Sequence, residues 1–321
     1  MADAEGVTLK GYEHKPVMLD ETIKLLHIER ESQGWFIDCT LGRGGHTEAV
    51  LKGSALRVIG VDQDEQALRE TKKQLASFEE RIHYLHGNFK DLSRLVEESV
   101  PDFPGAFGVL MDIGVSSPQL DDPTRGFSYH HDAPLDMRMD VTASVSAFDL
   151  VNDLSVEELT RIIRLYGEEK WAGRIAQFID ERRKKAPIVT TGELVEIIKA
   201  AIPARARRSG PHPARRTFQA LRIAVNDELG SLEQGIEAAF SLLISGGRLA
   251  VISFHSLEDR IVKNQFRRLV GGCQCPKDLP CICDRKEQAR IITTRPVRPT
   301  TEEVEQNPRS RSANLRVIER I

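Results

Sequence analysis

The chain has 321 residues, with 45 Lys and Arg against 48 Asp and Glu, and a formal net charge of −3. Its apolar fraction of 40% and charged fraction of 29% are those of an ordinary globular protein, which excludes a disordered chain, a collagen-like repeat and a disulfide scaffold. The near-neutral total argues against coating of nucleic acid by bulk charge, although it does not exclude a local basic surface.

The sequence predicts a cytoplasmic protein that makes no membrane contact. No apolar run reaches the roughly 18 residues that a membrane span requires. The first residues carry early acids and no apolar segment, so no secretory signal is expected. Four of the five cysteines lie between Cys273 and Cys283, which is unlike a distributed disulfide framework. Nothing in the sequence indicates an oligomeric state.

The first third of the chain alternates strand and helix patterns. This alternation predicts a parallel sheet with helices on both faces. Helices are expected over Glu48–Leu51 and Glu65–Leu75. Short apolar segments predict four strands, at Trp35–Cys39, Leu56–Asp62, Arg81–Gly87 and Phe107–Gly114.

The middle of the chain, from about Ser146 to Leu232, has a helical pattern rich in Glu, Arg and Lys. Ser155 is the expected N-cap of one helix, because Glu158 follows three residues later. We therefore predict an α/β core interrupted by an inserted all-helical domain. The expected boundaries are 1–125 for the N-terminal part of the core, 126–230 for the insertion and 231–321 for the C-terminal part of the core.

The last third returns to the core pattern. A helix near Leu232–Ile244 leads into a buried strand at Gly246–Phe254. Ser256 is the expected N-cap of a helix that runs to about Leu269. Extended patterns at Arg290–Val297 and Ala313–Arg320 end the series.

A glycine-rich segment lies between the first strand and the following helix. Gly42, Gly44 and Gly45 allow a tight turn and a close approach of the backbone to a ligand. Twenty residues after Gly42, Asp62 ends the second strand, where a carboxylate can accept both ribose hydroxyls of a nucleoside. The pattern favours a nucleoside-containing cofactor over a plain turn with a structural Asp. Thr47 stands where a dinucleotide fingerprint has a third glycine or alanine, which favours S-adenosylmethionine over NAD.

Two further strand ends carry candidate site residues. Phe89 follows the third strand and could lie against an adenine ring, or simply pack in the core. The loop from Asp112 to Gln119 follows the fourth strand, at the sheet edge where ligands of open α/β folds bind. Its Ser116 and Ser117 add two hydroxyl groups to the carboxylate and the amide.

His255 ends the fifth predicted strand at the same sheet edge. Its imidazole could orient a base or shuttle a proton, since it titrates near neutral pH. The alternative is that the segment only starts the next helix.

The stretch from Ile197 to Asn226 contains seven Lys and Arg residues and no acid. Arginine binds phosphate through two parallel hydrogen bonds, so this stretch predicts an RNA-binding surface. The alternative is an ordinary charged face in contact with solvent. The candidate RNA-binding residues are Arg205, Arg207, Arg208, Arg215 and Arg216.

A cysteine cluster stands apart from these motifs. Cys273, Cys275, Cys281 and Cys283 could bind zinc tetrahedrally, although the Cys-x-Cys spacing is tighter than usual. A loop with reduced thiols is the alternative, and no metal is assigned.

Long motifs over nearly the whole chain resemble the RsmH (MraW) family. They include DCTLGRGGHT from Asp38, DIGVSSPQLDDPTRGFS from Asp112, PLDMRMD from Pro134, YGEE from Tyr166 and ISFHSLEDR from Ile252. The resemblance implies an S-adenosylmethionine-dependent methyltransferase that acts on the exocyclic N4 of a cytidine in 16S rRNA of the small ribosomal subunit. It also implies a class I, Rossmann-like methyltransferase core, and cofactor contacts at Gly44, Gly45, His46, Asp62, Phe89, Asp112 and Gln119.

The sequence indicates the catalytic groups less clearly than the cofactor contacts. The chain lacks the Asp/Asn/Ser-Pro-Pro-aromatic motif familiar in amino-methyltransferases. Our hypothesis is that Asp112, Ser116, Ser117 and His255 include the groups that assist the amine. The remaining functional alternatives are an NAD-dependent oxidoreductase, a non-catalytic RNA-binding module, and a methyltransferase for DNA or protein.

Overall fold

The computed structural model describes residues 16–28, 33–208, 210–271 and 287–321, without the side chains of residues 117 and 118. Within these ranges, no helix has both the length and the apolar character needed to cross a membrane. The four clustered cysteines, and with them the zinc alternative, lie outside the described residues.

Seven strands form one sheet in the order β3-β2-β1-β4-β5-β7-β6. Every neighbouring pair from β3 to β5 is parallel, whereas β7 runs antiparallel to both β5 and β6. The α/β class and the Rossmann-like methyltransferase core are therefore confirmed. The strands are β1 (Trp35–Asp38), β2 (Arg57–Asp62), β3 (Ile82–His86), β4 (Ala106–Asp112), β5 (Leu243–Ser253), β6 (Ala289–Ile291) and β7 (Asn314–Arg320).

The chain order along the sheet reverses between β1 and β4. β1 pairs with β2 on one side and with β4 on the other, so the crossovers that leave these strands diverge. Ligands of open α/β sheets bind at such a switch point, beyond the carboxyl ends of the strands. A ligand site is therefore expected at the loops that follow β1 and β4.

The helices of the core lie on both faces of this sheet. They are α1 (Leu19–Leu26), α2 (Gly45–Gly53), α3 (Glu65–Gln74), α4 (Leu92–Ser99), α12 (Glu228–Ser241), α13 (Ser256–Leu269) and α14 (Thr301–Gln306). Alternate residues of β1 point to opposite faces. Ile37 packs with α4 and α12, and Phe36 packs with α1 and α2.

The chain between β4 and β5 is helical up to α12. It begins with the short α5 (Ser117–Asp121) and continues through α6 (Ala147–Asp153), α7 (Val156–Gly167), α8 (Ala172–Arg183), α9 (Thr191–Ala201), α10 (Ala204–Arg207) and α11 (Arg215–Asn226). Buried apolar side chains from Phe127 to Leu221 form a cluster distinct from the two that line the sheet. The predicted helical character of this stretch is thus observed.

Helix ends test the predicted caps. Ser155 is the N-cap of α7, in a capping box with Glu158, as predicted. The prediction for Ser256 is wrong, because His255 is the N-cap of α13 and Ser256 is the first helical residue. Glu258 explains the difference, since its carboxylate accepts the His255 amide at 3.2 Å. The helix predicted to reach Ile244 ends at Ser241, and Ile244 belongs to β5.

Candidate active site

A cavity of about 740 Å³ opens at the carboxyl ends of β1, β2 and β4. Its wall combines the glycine-rich loop, the loop after β4, and side chains from α11 and α12. Gly44 is not part of the lining, and the side chain of Ser117 lies outside the described atoms. The predicted site residues that line the cavity are Gly45, His46, Asp62, Phe89, Asp112, Ser116, Gln119 and His255.

The glycines of the first loop have different structural tasks. Gly42 has a φ of 50°, in the left-handed region, and its amide donates to Asp62 Oδ2 at 2.8 Å. Gly44, with a φ of 71°, caps α2, and a Cβ there would lie 2.6 Å from Thr71 Cγ2. A Cβ on Gly45 would lie 2.3 Å from Pro16 Cγ. Glycine at 44 and 45 is therefore required by packing.

His46 is held inside the structure. Its Nε2 lies 3.1 Å from the carbonyl oxygen of Val17, and its Nδ1 lies 4.0 Å from Asp112 Oδ2. Burial lowers the pKa of His46 to about 4, so the ring is neutral at physiological pH. It therefore contributes shape and hydrogen bonding to the cavity wall and no positive charge.

Asp62 presents a backbone-supported carboxylate at the end of β2. The Gly42 amide donates to Oδ2, and the Asp64 amide donates to Oδ1 at 2.8 Å. Burial raises the pKa of Asp62 to about 6, while these amides favour the ionised form. Each oxygen keeps a second lone pair, so the carboxylate can accept two further hydroxyl groups from the cavity.

Asp112 has the least satisfied carboxylate of the site. Its amide donates to Thr40 Oγ1 at 2.7 Å, which fixes the end of β4 beside β1. Its Oδ1 is buried and has no hydrogen-bond partner among the described atoms. Burial, followed by the nearby Asp38 and Glu258 carboxylates, raises the pKa of Asp112 to about 8. In the ligand-free protein Asp112 therefore holds a proton at neutral pH, and its Oδ1 has an unused hydrogen-bonding position for a ligand.

This raised pKa predicts a pH-dependent loss of stability in the ligand-free protein. Between pH 4 and pH 8 the unfolded state ionises Asp112 while the folded state holds its proton, so stability falls as pH rises. Asp112→Asn removes this cost. We expect its melting temperature to match the wild type near pH 4 and to exceed it by on the order of a few °C at pH 8. Thermal unfolding across this range tests it, with the exposed Asp153→Asn as control; an equal difference at both pH values would contradict the assignment.

The loop after β4 is held by the predicted Gln119 and by two residues that the sequence did not single out, Asp64 and Arg125. Gln119 accepts the Ser116 amide at 3.1 Å and donates from Nε2 to Asp64 Oδ2 at 3.0 Å. Arg125 donates to the same Asp64 oxygen at 3.0 Å and to the carbonyl oxygen of Met139 at 2.9 Å. Asp64 and Arg125 therefore position the loop through long-range contacts. The only local signal is that Asp64 follows Asp62 by two residues.

His255 and Glu258 form a close pair beneath the cavity. The Glu258 amide donates weakly to His255 Nδ1 at 3.4 Å, which leaves Nε2 as the ring nitrogen that carries a proton. That atom faces Glu258 Oε1 at 3.1 Å, although the pair is not aligned as a hydrogen bond. Both ring nitrogens are thus directed at Glu258, which favours the helix-start interpretation of His255 over a proton shuttle.

The same pair belongs to a larger group of charged side chains. Ligand atoms of Glu228, His255 and Glu258 lie within 4.8 Å of one another, the distance range of a metal site. However, Arg222 donates to both oxygens of Glu228 at 2.7 Å, so this carboxylate already has a cationic partner. We therefore interpret the group as a buried ion-pair cluster.

The predicted RNA-binding arginines are exposed. Arg215 also lines the cavity, and Arg216 lies 4.0 Å from Glu169. Two other cations of the acid-free stretch are already paired, Lys199 with Glu196 and Arg222 with Glu228. Among the described residues, no ion pair involves Arg205, Arg207, Arg208 or Arg215.

The amino-acid sequence is similar over almost its whole length to proteins named as methyltransferases. The sequence profile of the MraW methylase family matches residues 11–321. A protein of Symbiobacterium thermophilum named ribosomal RNA small subunit methyltransferase H is 56% identical over 96% of each chain. Proteins of the same name from Clostridioides difficile and Halothermothrix orenii are 50% and 52% identical, over 97% and 96% of this chain and 99% of each relative. The likeness therefore extends well beyond a shared fold, and the chain belongs to the MraW methylase family.

Proposed function

We propose that the chain transfers a methyl group from S-adenosylmethionine to the N4 amine of a cytidine in 16S rRNA of the small ribosomal subunit. The observation that carries this proposal is the cavity at the switch point. Asp62 ends β2 and Asp112 ends β4, on either side of β1, and the chain belongs to a methylase family. The cytoplasm is the proposed location, because the ribosomal subunit is the proposed partner.

The residues of the cavity fit the cofactor. Asp62 would accept the ribose hydroxyls, and Phe89 beside it would cover one face of the adenine ring. Gly45, His46 and Gln119 would shape the wall beside the methionine moiety, while Gly44 would act through the turn. When bound, S-adenosylmethionine supplies an electrophilic methyl group on a positively charged sulfur.

Asp112 is the proposed acceptor for the reacting amine. The lone pair of the cytosine amine is delocalised into the ring, and it becomes available when an oxygen accepts an N–H hydrogen. The unpartnered Oδ1 of Asp112 is such an oxygen. Because a positive charge bound nearby favours an ionised carboxylate, the cofactor-bound site would hold Asp112 as an acceptor at neutral pH.

The other candidate groups have lesser proposed roles. Ser116 lines the cavity, and its hydroxyl could accept a second amine hydrogen; Ser117 remains a candidate by position alone. His255 would hold the start of α13 and, with it, the wall behind Asp112. We propose Asp112 as the leading catalytic residue, in addition to its expected contact with the cofactor.

Residues 126–230 are the proposed inserted domain that binds RNA. The domain would place Arg205, Arg207, Arg208, Arg215 and Arg216 against phosphates, because these cations are exposed and one of them, Arg215, lines the cavity. The target base would be drawn out of its stack into the cavity.

Asp62→Asn should weaken S-adenosylmethionine binding by roughly 10- to 100-fold, because an amide replaces an ionised acceptor of two hydroxyl groups. Calorimetric titration of the variant measures this effect, and thermal unfolding checks that the variant is folded. An unchanged dissociation constant in a folded variant would remove Asp62 from the cofactor site.

Transfer of labelled methyl groups tests the proposed function as a whole. Purified protein is incubated with labelled S-adenosylmethionine and small ribosomal subunits, naked 16S rRNA, DNA or protein. We expect label in 16S rRNA and its recovery as N4-methylated cytidine after digestion. Label in DNA or protein, or in another nucleoside, would refute the proposal.

A further inference from the structure

Four rings form a continuous cluster from the cavity to the protein surface. Tyr129 packs edge-on against Phe218 at 5.7 Å between centroids and stacks on His212 at 4.7 Å with an angle of 9°. His130 lies 4.4 Å from Tyr129 and 5.8 Å from His212. We call these four residues the aromatic cluster. Phe218 and Tyr129 line the cavity, whereas His130 is exposed.

The aromatic cluster is held in place before any ligand binds. Phe218 is buried with the helical core, and Tyr129 packs against the same core. His212 Nδ1 accepts the Ala214 amide at 3.2 Å, which fixes the plane of the ring. Partial burial, together with Lys199 and His130, lowers the pKa of His212, so this ring is uncharged at neutral pH.

His212 and Phe218 of the cluster belong to the basic stretch. Arg215 is exposed and lines the same cavity, and Arg205, Arg207 and Arg208 precede His212 in the chain. Proteins bind single-stranded RNA with partly exposed rings held in place near unpaired arginines, since bases stack on the rings and phosphates meet the cations.

We propose that the aromatic cluster is a stacking site for the base of an unpaired RNA nucleotide next to the target cytidine. The proposal rests on the proposed function, because drawing the target base into the cavity breaks its stacking with both neighbours. A neighbouring base then gains a new surface at the cavity mouth. The site would thus hold the strand in register while the target reaches Asp112.

Tyr129→Leu removes the ring but keeps an apolar side chain, and Tyr129→Phe keeps the ring. We expect Tyr129→Leu to weaken binding of 16S rRNA by roughly 5- to 100-fold, with Tyr129→Phe close to the wild type. The slope of log affinity against log salt should stay the same, because no cation is lost. The KM for RNA should rise by a similar factor, with a smaller effect on kcat at saturating RNA.

His130→Ala provides a second variant that does not depend on core packing, since His130 is exposed. It should weaken RNA binding by a smaller factor at every salt concentration. Wild-type RNA affinity in both Tyr129→Leu and His130→Ala would overturn the stacking site, even if methyl transfer is intact. Conversely, a wild-type protein that binds RNA without methylating it would refute only the proposed function. The RNA affinities of the wild type and the two variants would still test the stacking site.

Discussion

Asp112→Asn should reduce the rate of methyl transfer to 16S rRNA by roughly 10²- to 10⁴-fold, the range for loss of a positioned proton acceptor. The asparagine oxygen can still accept one N–H, but it has no negative charge and cannot take a proton. The effect should fall on kcat, because Oδ1 of Asp112 has no other partner in the described structure and is free for the amine.

Binding and chemistry can be separated in this experiment. S-adenosylmethionine affinity is measured by titration, and single-turnover rates are measured at saturating cofactor and RNA. Asp153→Asn, which changes an exposed carboxylate in the same way, should keep the wild-type rate. A folded Asp112→Asn protein with the wild-type single-turnover rate would exclude Asp112 as the acceptor.

Affinity for 16S rRNA should fall roughly 100-fold between 50 and 200 mM salt, because each phosphate contact contributes a slope of about −0.7 on single-stranded RNA and five arginines are proposed to make such contacts. A flat salt response would count against an RNA surface built on these side chains. Filter binding at four or more salt concentrations gives the slope directly.

A charge-matched pair of triple variants locates the surface. Changing Arg205, Arg207 and Arg208 together to Gln should make the slope shallower by about 2. The control changes Arg69, Arg94 and Arg268 to Gln, which removes the same charge from exposed, ion-paired positions on α3, α4 and α13. The control should keep the wild-type slope. An equal change of slope in both triple variants would mean that RNA binding depends on total charge and not on this surface.

Much of the sheet could be predicted because buried strands carry their own signal. β2 was predicted at Leu56–Asp62 and is found at Arg57–Asp62, since Val58 to Val61 are apolar and fully enclosed. The start of β5 was missed. Ser245, Gly246 and Gly247 interrupt its apolar pattern, and only pairing of Leu243 with Ala106 extends the strand to that side.

The candidate site could be predicted less completely than the sheet. Asp62 and Asp112 were found because strand ends at a sheet edge are where ligands bind. Arg125 donates a hydrogen bond to Asp64, which lies 61 positions earlier in the chain, and no local sequence pattern indicates such a pair. The ion pair of Arg222 with Glu228 could not be predicted either, because Glu228 lies just beyond the stretch of seven cations that contains no acid.

The position of β7 has a consequence for how the protein is made. β7 lies between β5 and β6, both of which are synthesised before it, and its Glu319 joins Arg248 to Arg290. Until Asn314–Arg320 leave the ribosome, β5 has an open edge that can pair with another chain. The nascent polypeptide therefore depends on Asn314–Arg320 to cover this edge of β5, and chains cut short before Asn314 should be prone to aggregate.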